Sequence, residues 1–105
     1  MSRKITLSVP VDIVVRDRDV KLLAIIDRIN DASGPRAHVS LSTLSDEMGL
    51  SQATLRRSVY ACCEDGYLEV RKNYMKNGAQ LENSYQVTPD GIAIVKAARQ
   101  AGLVA

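Results

Sequence analysis

The chain has 105 residues, of which 46% are apolar and 25% are charged, and its formal net charge is +2. These values are typical of one soluble globular domain and exclude a low-complexity chain. The longest apolar run is far too short to cross a bilayer, so no membrane partner is expected. The sequence offers no carboxylate pair, nucleophile with a base, glycine-rich phosphate loop or metal-ligand cluster. We therefore expect neither an enzyme nor a cofactor.

The N-terminal segment, residues 1–16, is predicted to form a strand. Apolar residues occupy every odd position from 5 to 15, and this alternation indicates a strand with one buried face. Pro10 predicts either an edge strand or a break into two short pieces. Two partners remain open for this arm, namely the sheet of its own chain and a second subunit.

The first helix is predicted over residues 17–32. Residues 22–29 give it a wide apolar stripe, and Asp17 and Asp19 suit the positive end of the helix dipole. Gly34 and the proline after it predict where the helix stops.

A short strand and a second helix come next. Residues 39–41 predict a strand that pairs with a later hairpin. Ser42 is predicted to cap the second helix, which ends at Gly49 and turns Leu44 and Met48 inward.

The third helix is predicted to begin at Ser51, its cap, and to close at Gly66. Three residues recur at helical spacing and should face the core: Leu55, Val59 and Cys62. A rotation of 3.6 residues per turn then places another set on the outer face: Ala53, Arg56, Arg57 and Tyr60.

The last third of the chain predicts a hairpin and a helix. Residues 68–73 and 84–87 are the predicted strands, with Asn77-Gly78 as a tight turn between them. Thr88 is the predicted cap of a helix with Pro89 in its first turn. The apolar side of this helix is predicted to consist of Ile92, Val95, Ala98 and Leu103.

Basic residues concentrate in the third helix and the hairpin, whereas the first helix is acidic. A basic face on a nearly neutral protein predicts contact with the phosphates of a nucleic acid. The alternative is a solvated charged surface without a partner.

The segment LSTLSDEMGLSQATLRRSVYACCEDGYLEV, followed by NSYQVTPDGIAIV, resembles the winged helix-turn-helix domains of MarR-like and other small prokaryotic regulators. The resemblance covers residues from about 38 to 97. It implies an α+β fold with a three-helix core and a small antiparallel β-wing, extended by an N-terminal strand and a C-terminal helix. The chain would then be one domain, with its arm at 1–16, its core at 17–97 and its last helix at 89–104.

The same resemblance implies a DNA-binding surface. Helix 51–65 would enter the major groove, and wing 69–87 would lie on the backbone or in the minor groove. Gln80 would join the polar tip of the wing. The DNA-binding residues carried over from the resemblance are Ser51, Gln52, Thr54, Arg56, Arg57, Tyr60, Arg71, Lys72, Lys76 and Asn77.

The predicted function is sequence-specific binding of double-stranded DNA by a homodimer that regulates transcription in the cytoplasm of a prokaryotic cell. The N-terminal strand and the last helix are the candidate dimer surfaces. Domains of this size also resemble plasmid partition adaptors, which coat repeated centromere sites. A third possibility is a protein-interaction winged helix, although Arg56 and Arg57 argue against it. No effector pocket is expected, since the chain has no Phe or Trp to line one.

Overall fold

The computed structural model describes residues 3–9, 12–34, 37–79 and 83–104. The elements in chain order are β1 (Lys4–Ser8), β2 (Asp12–Arg16), α1 (Asp17–Ser33), β3 (Ala37–His38), α2 (Leu41–Met48), α3 (Gln52–Glu64), β4 (Leu68–Arg71), β5 (Ser84–Val87) and α4 (Pro89–Gln100). The fold class is α+β, as the sequence predicted. No helix in the described ranges is long and apolar enough to cross a membrane.

The N-terminal arm is a hairpin. β1 and β2 pair antiparallel, from Lys4 opposite Arg16 to Ser8 opposite Asp12, and form a two-stranded sheet of their own. The break into two short pieces, one of the two outcomes predicted from Pro10, is confirmed, although Pro10 itself lies outside the described residues. The odd-numbered face is turned to the core, with Leu7 only 3% exposed, because apolar residues alternate with polar ones along both strands.

The second sheet has the strand order β3-β5-β4 and is antiparallel throughout. β4 is two residues shorter than the predicted strand, and β5 has the predicted bounds. β3 was wrongly placed at 39–41. The strand is Ala37–His38, although the Val39 N–H still donates to the Asn83 carbonyl at 3.4 Å.

The start of α2 explains that error. Ser40, and not Ser42, is the N-cap, because its backbone is extended and its hydroxyl accepts a hydrogen bond from the Thr43 N–H at 3.0 Å. Leu41 is therefore already helical. Both serines precede the same apolar position, Leu44, which is fully buried as predicted.

α4 begins as predicted, with the Thr88 hydroxyl accepting from the Gly91 N–H at 3.1 Å. Its apolar side was predicted partly wrongly. Ile94 is 1% exposed and Ile92 is 37% exposed, because the helix presents positions 91, 94, 95 and 98 to the core. Leu103 lies beyond the helix and is 38% exposed.

One buried polar contact joins α1 to the sheet. The Asn30 amide donates to the Tyr85 carbonyl at 3.0 Å and accepts from the Val87 N–H at 3.1 Å. Tyr85 lies opposite Ala37 at the end of the short β3, and Val87 lies two residues further along β5, beyond the β3 pairing. The side chain of Asn30 thus extends the ladder where a strand is missing, and it fixes the helical core against the wing sheet.

Candidate nucleic-acid interface

α2 and α3 are joined by a turn of three residues. Gly49 adopts a left-handed conformation with φ of +64°, which ends α2 and favours glycine. The Ser45 hydroxyl donates to the Leu50 carbonyl and ties the turn to α2. Ser51 then caps α3 as predicted, accepting from the Thr54 N–H at 3.2 Å. The arrangement is a helix-turn-helix.

α3 has one buried face and one exposed face, as the sequence predicted. Leu55 and Cys62 are at most 1% exposed, and Val59 is half-buried. The outer-face residues that the sequence predicted are all exposed: Ala53, Arg56, Arg57 and Tyr60. The packing of α3 against α1 and β4 therefore leaves the basic side of the helix open to solvent.

Side chains in the first turn of α3 stabilise the start of the helix, in addition to the DNA contacts predicted for them. The Ser51 hydroxyl donates to Thr54 Oγ1 at 3.0 Å while it caps the helix, so both hydroxyls are engaged. Gln52 is exposed, and no hydrogen bond of its side chain is seen within the described chain. The amide of Gln52 is thus the side chain of this turn with hydrogen-bonding capacity to spare.

Tyr60 lies one turn further along the outer face and is 67% exposed. A hydrogen bond to the Glu64 carboxylate raises the pKa of its hydroxyl above the ordinary value, and the charge of Glu64 adds to the effect. Tyr60 therefore stays neutral at physiological pH, and its single O–H donor is directed at Glu64, so a contact with a phosphate oxygen would require that donor to turn away from the carboxylate.

The wing is the β4–β5 hairpin with its connecting residues. Asn77-Gly78 forms the predicted turn, since the Gly78 N–H donates to the Met75 carbonyl at 2.9 Å and Gly78 has a φ of +88°. Asn77 Oδ1 accepts from the Ala79 N–H at 3.0 Å, so this predicted contact residue helps to shape the tip. Gln80 lies outside the described residues.

The basic wing residues Arg71, Lys72 and Lys76 are exposed, as a DNA contact requires. Tyr74 and Met75 lie among them and are 58% and 50% exposed. Sequence reasoning missed these two because it followed charge alone. The run K-N-Y-M-K-N, with two large apolar residues in a polar hairpin tip, was the available signal.

The cations of α3 and the wing form no salt bridge with any acidic residue in the described ranges. Among the described residues, salt bridges join Arg18 to Asp19 at 3.9 Å and Arg99 to Asp27 at 3.2 Å, and neither lies in α3 or the wing. A cation without an acidic partner is available to an external anion. The arrangement can therefore contact phosphates from two elements, the exposed face of α3 and the wing.

The two cysteines of α3 do not extend the chemistry of this surface. Cys62 is buried and Cys63 half-buried, and neither is in a disulfide. Burial raises the pKa of both thiols, which opposes formation of the reactive thiolate. Within the described ranges, no three His, Cys, Asp or Glu side chains come together as a metal site.

Solved structures resemble this chain over most of its length. A transcriptional regulator of the MarR family from Silicibacter pomeroyi has a TM-score of 0.54 and 21% identity, over 83% of this chain and 50% of that one. A second MarR family transcription regulator has a TM-score of 0.55 and 17% identity, over 83% of this chain and 58% of that one. This chain thus spans only about half the length of either.

Sequence comparison adds no closer relative. No protein-family model matches the chain, and no curated protein matches it. At the identities of the two regulators, structural likeness shows the fold. Both neighbours are transcriptional regulators by description. The chain therefore has a winged helix-turn-helix fold, similar to that of MarR-type transcriptional regulators.

Proposed function

We propose that this protein binds double-stranded DNA sequence-specifically, as a homodimer, and regulates transcription in the cytoplasm of a prokaryotic cell. The exposed outer face of α3 carries the proposal. Arg56 and Arg57 stand there without an acidic partner in the described chain, on the helix that follows the tight turn. In helix-turn-helix proteins this second helix is the one that enters the major groove.

The outer face of α3 supplies groups that match base edges. An arginine reads guanine through two hydrogen bonds to O6 and N7, and a glutamine reads adenine in the same bidentate way. Arg57 and Gln52 have these side chains and are exposed. Arg56 and Tyr60 flank them and would hold phosphates, which fixes the orientation of the helix without selecting a sequence.

The wing would bind the backbone beside the groove. Arg71, Lys72 and Lys76 would neutralise phosphates, so that this part of the affinity falls steeply with salt. Tyr74 and Met75 would place apolar area against sugars in the adjacent minor groove, where such side chains are used by other DNA-binding proteins.

Paired substitutions separate base recognition from electrostatic attraction to the phosphates. Arg57→Ala is expected to cost about 1–3 kcal/mol of binding free energy and to relax the preference for one base pair. Lys76→Ala is expected to weaken all sequences alike and to reduce the salt slope by about one. Arg28→Ala, which removes an exposed arginine from α1, is the matched control and should change neither quantity.

Fluorescence anisotropy on a target duplex and its single-base variants measures both quantities. If Arg57→Ala leaves affinity and base preference intact, α3 does not read the DNA as proposed. The same titrations give the stoichiometry. Two chains per site support a regulator at one operator, whereas cooperative filling of tandem repeats would support a partition adaptor instead.

A further inference from the structure

The outer edge of β2 is open. β2 pairs with β1 on one side, and no other described strand pairs with it on the other. A groove of about 380 Å³ lies beside it, lined in part by Val14, Arg16 and the end of α3. Open strand edges are templates for pairing with another chain, and proteins usually protect them.

The hydrogen-bonding direction along β2 follows from its neighbour. The Asp17 N–H donates to the Arg3 carbonyl at 2.7 Å and so points at β1. Because this direction alternates along an antiparallel strand, residues 15 and 13 also point at β1. The backbone N–H and C=O groups of Asp12 and Val14 and the N–H of Arg16 therefore point outward, at the open edge.

We propose that β2 pairs antiparallel with β2 of a second copy of this chain, in a register centred on Val14. This inference rests on the homodimer of the proposed function and names the surface that forms it. Val14 lies opposite the partner copy's Val14, and Asp12 lies opposite its Arg16. Val14 then exchanges both backbone hydrogen bonds with its own copy across the two-fold axis, whereas the Arg16 carbonyl lies at the N-cap of α1 and is directed to the first turn of that helix.

Side-chain chemistry selects this register. Val14 is 63% exposed, the most exposed aliphatic side chain of the described hairpin, and self-pairing covers it with its own copy. Each Asp12 faces an Arg16, and opposite charges directly across a ladder stabilise it. A shift by two residues would set Asp12 against Val14, which loses both charge pairs.

Charges within one chain also favour this pairing. Arg16 lies directly opposite Lys4 in the hairpin, a like-charge pair that destabilises an isolated sheet. Arg16 has no salt bridge among the described residues, and Asp12 is bonded only to the Ser8 hydroxyl, at 2.7 Å. The charge of Arg16 acts on Asp19 within the chain, and the partner copy's Asp12 would add a second counter-charge directly across the ladder.

The other surfaces are less suited to self-association. The outward-pointing residues of β1 are Lys4, Thr6 and Ser8, which carry neither charge complementarity nor apolar area. α4 turns its large apolar residues into the core and leaves Ile92 as its one exposed aliphatic side chain among the described residues. β2 therefore offers the self-complementary edge.

A cysteine placed on the two-fold axis tests the register. In the proposed dimer the two Val14 Cα atoms lie about 5.5 Å apart, within the range for a disulfide. Val14→Cys should become mostly disulfide-linked dimer under mild oxidation. Thr6→Cys lies on the same face, but three strand spacings of about 4.8 Å separate the two copies, so it should stay unlinked. The wild type, with its own two cysteines, is the oxidation control.

Charge reversal supplies an independent test of the register. Asp12→Arg and Arg16→Asp should each raise the dimer dissociation constant at least tenfold in sedimentation, whereas their equimolar mixture should form a mixed dimer with wild-type affinity. Circular dichroism checks that each variant is folded. A monomeric wild type, equal crosslinking of Thr6→Cys, or charge variants that dimerise normally would each overturn the proposal.

The two proposals fail separately. Arg57→Ala in the Val14→Cys background should crosslink fully while losing DNA affinity. Crosslinking without any specific DNA binding would overturn the proposed function and support the β2 dimer. Specific DNA binding by a wild-type dimer in which Val14→Cys does not crosslink would overturn the β2 surface alone.

Discussion

Replacing Asn30 with alanine removes the side chain that joins α1 to the wing sheet. Its amide makes hydrogen bonds to the Tyr85 carbonyl, the Val87 N–H and the Gly34 carbonyl, at 3.0, 3.1 and 3.2 Å. Alanine offers no substitute, and the shape of the site leaves the β5 backbone facing a methyl group. We therefore expect Asn30→Ala to destabilise the domain and to loosen the wing.

The magnitude follows from burial. Tyr85 and Val87 are 1% and 4% exposed, so their freed backbone groups cannot reach water without local rearrangement. A buried group that loses its partner costs about 1–3 kcal/mol. This cost falls on the Val87 N–H, because Tyr85 lies opposite Ala37 in the β3–β5 ladder. The Gly34 carbonyl lies at a half-buried helix end and adds little. With about 4–8 °C per kcal/mol for a small domain, the thermal midpoint should fall by roughly 4–24 °C.

Thermal and urea unfolding, followed by circular dichroism, measure this loss. Asp31→Ala, at the next position of α1 and exposed, is the matched control and should change stability by less than about 0.5 kcal/mol. Asn30→Asp is a stricter variant, because it keeps the acceptor for Val87 but turns a carboxylate toward a carbonyl. A thermal midpoint for Asn30→Ala within 2 °C of the control would refute the role assigned to Asn30.

Three further predictions concern other parts of the core. Gly91→Ala should cost about 1–3 kcal/mol in urea unfolding, since an added Cβ would overlap the Tyr67 carbonyl oxygen; unchanged stability would contradict that close approach. Burial raises the pKa of Asp19, so its contribution to stability is present at low pH and lost as pH rises from about 3.9 through the raised folded-state pKa. Asp19→Asn should therefore gain stability over the wild type at pH 7, with the gain vanishing toward pH 3. Because burial raises the pKa of both thiols, Cys62 should resist a thiol reagent until the protein unfolds, and Cys63 should react more slowly in the native protein than in urea. Rapid labelling of Cys62 in the native protein would argue against its packing.

Local chemistry was enough to predict most element boundaries. Thr88 and Ser51 each precede an apolar run and cap it, and Gly49 supplies the left-handed residue that ends α2. Ser40 and Ser42 are chemically equal caps two residues apart. The choice between them depends on how the chain leaves β3, which is a tertiary contact with no local signal.

The rotation of α4 was harder to predict. Ile92 and Ile94 are the same residue type two positions apart, so hydrophobicity alone does not decide which one is buried. The deciding feature is the approach of the Tyr67 carbonyl, which only glycine at position 91 accommodates. That contact turns Ile94 inward and leaves Ile92 at the surface.

The candidate DNA surface was predictable where it depends on helical rotation. Leu55 and Cys62 fix the inner face of α3, and Arg56 and Arg57 must then face outward. The engagement of the Ser51 hydroxyl with Thr54 was not foreseen, because one capping hydroxyl can bond both a backbone N–H and a neighbouring hydroxyl.

The exposed residues of the wing and the pairing of the N-terminal arm could be predicted only in part without the folded structure. The exposure of Tyr74 depends on where β4 ends, and the open edge of β2 depends on the arm folding back on itself. The sequence carries only partial signals for these properties, the run K-N-Y-M-K-N for the first and Pro10 for the second. Both depend on which strands pair with each other, and strand pairing is determined by the packing of the whole domain.

The measurement that tests the central claim most directly is an anisotropy titration of the purified protein against DNA flanking its own gene, with random duplex as control, at two salt concentrations. The account predicts that the flanking DNA binds more tightly than random duplex by at least 10³, the low end for specific DNA-binding proteins, and that both affinities fall as salt rises. Equal affinity for both duplexes, or no binding to either, would contradict it.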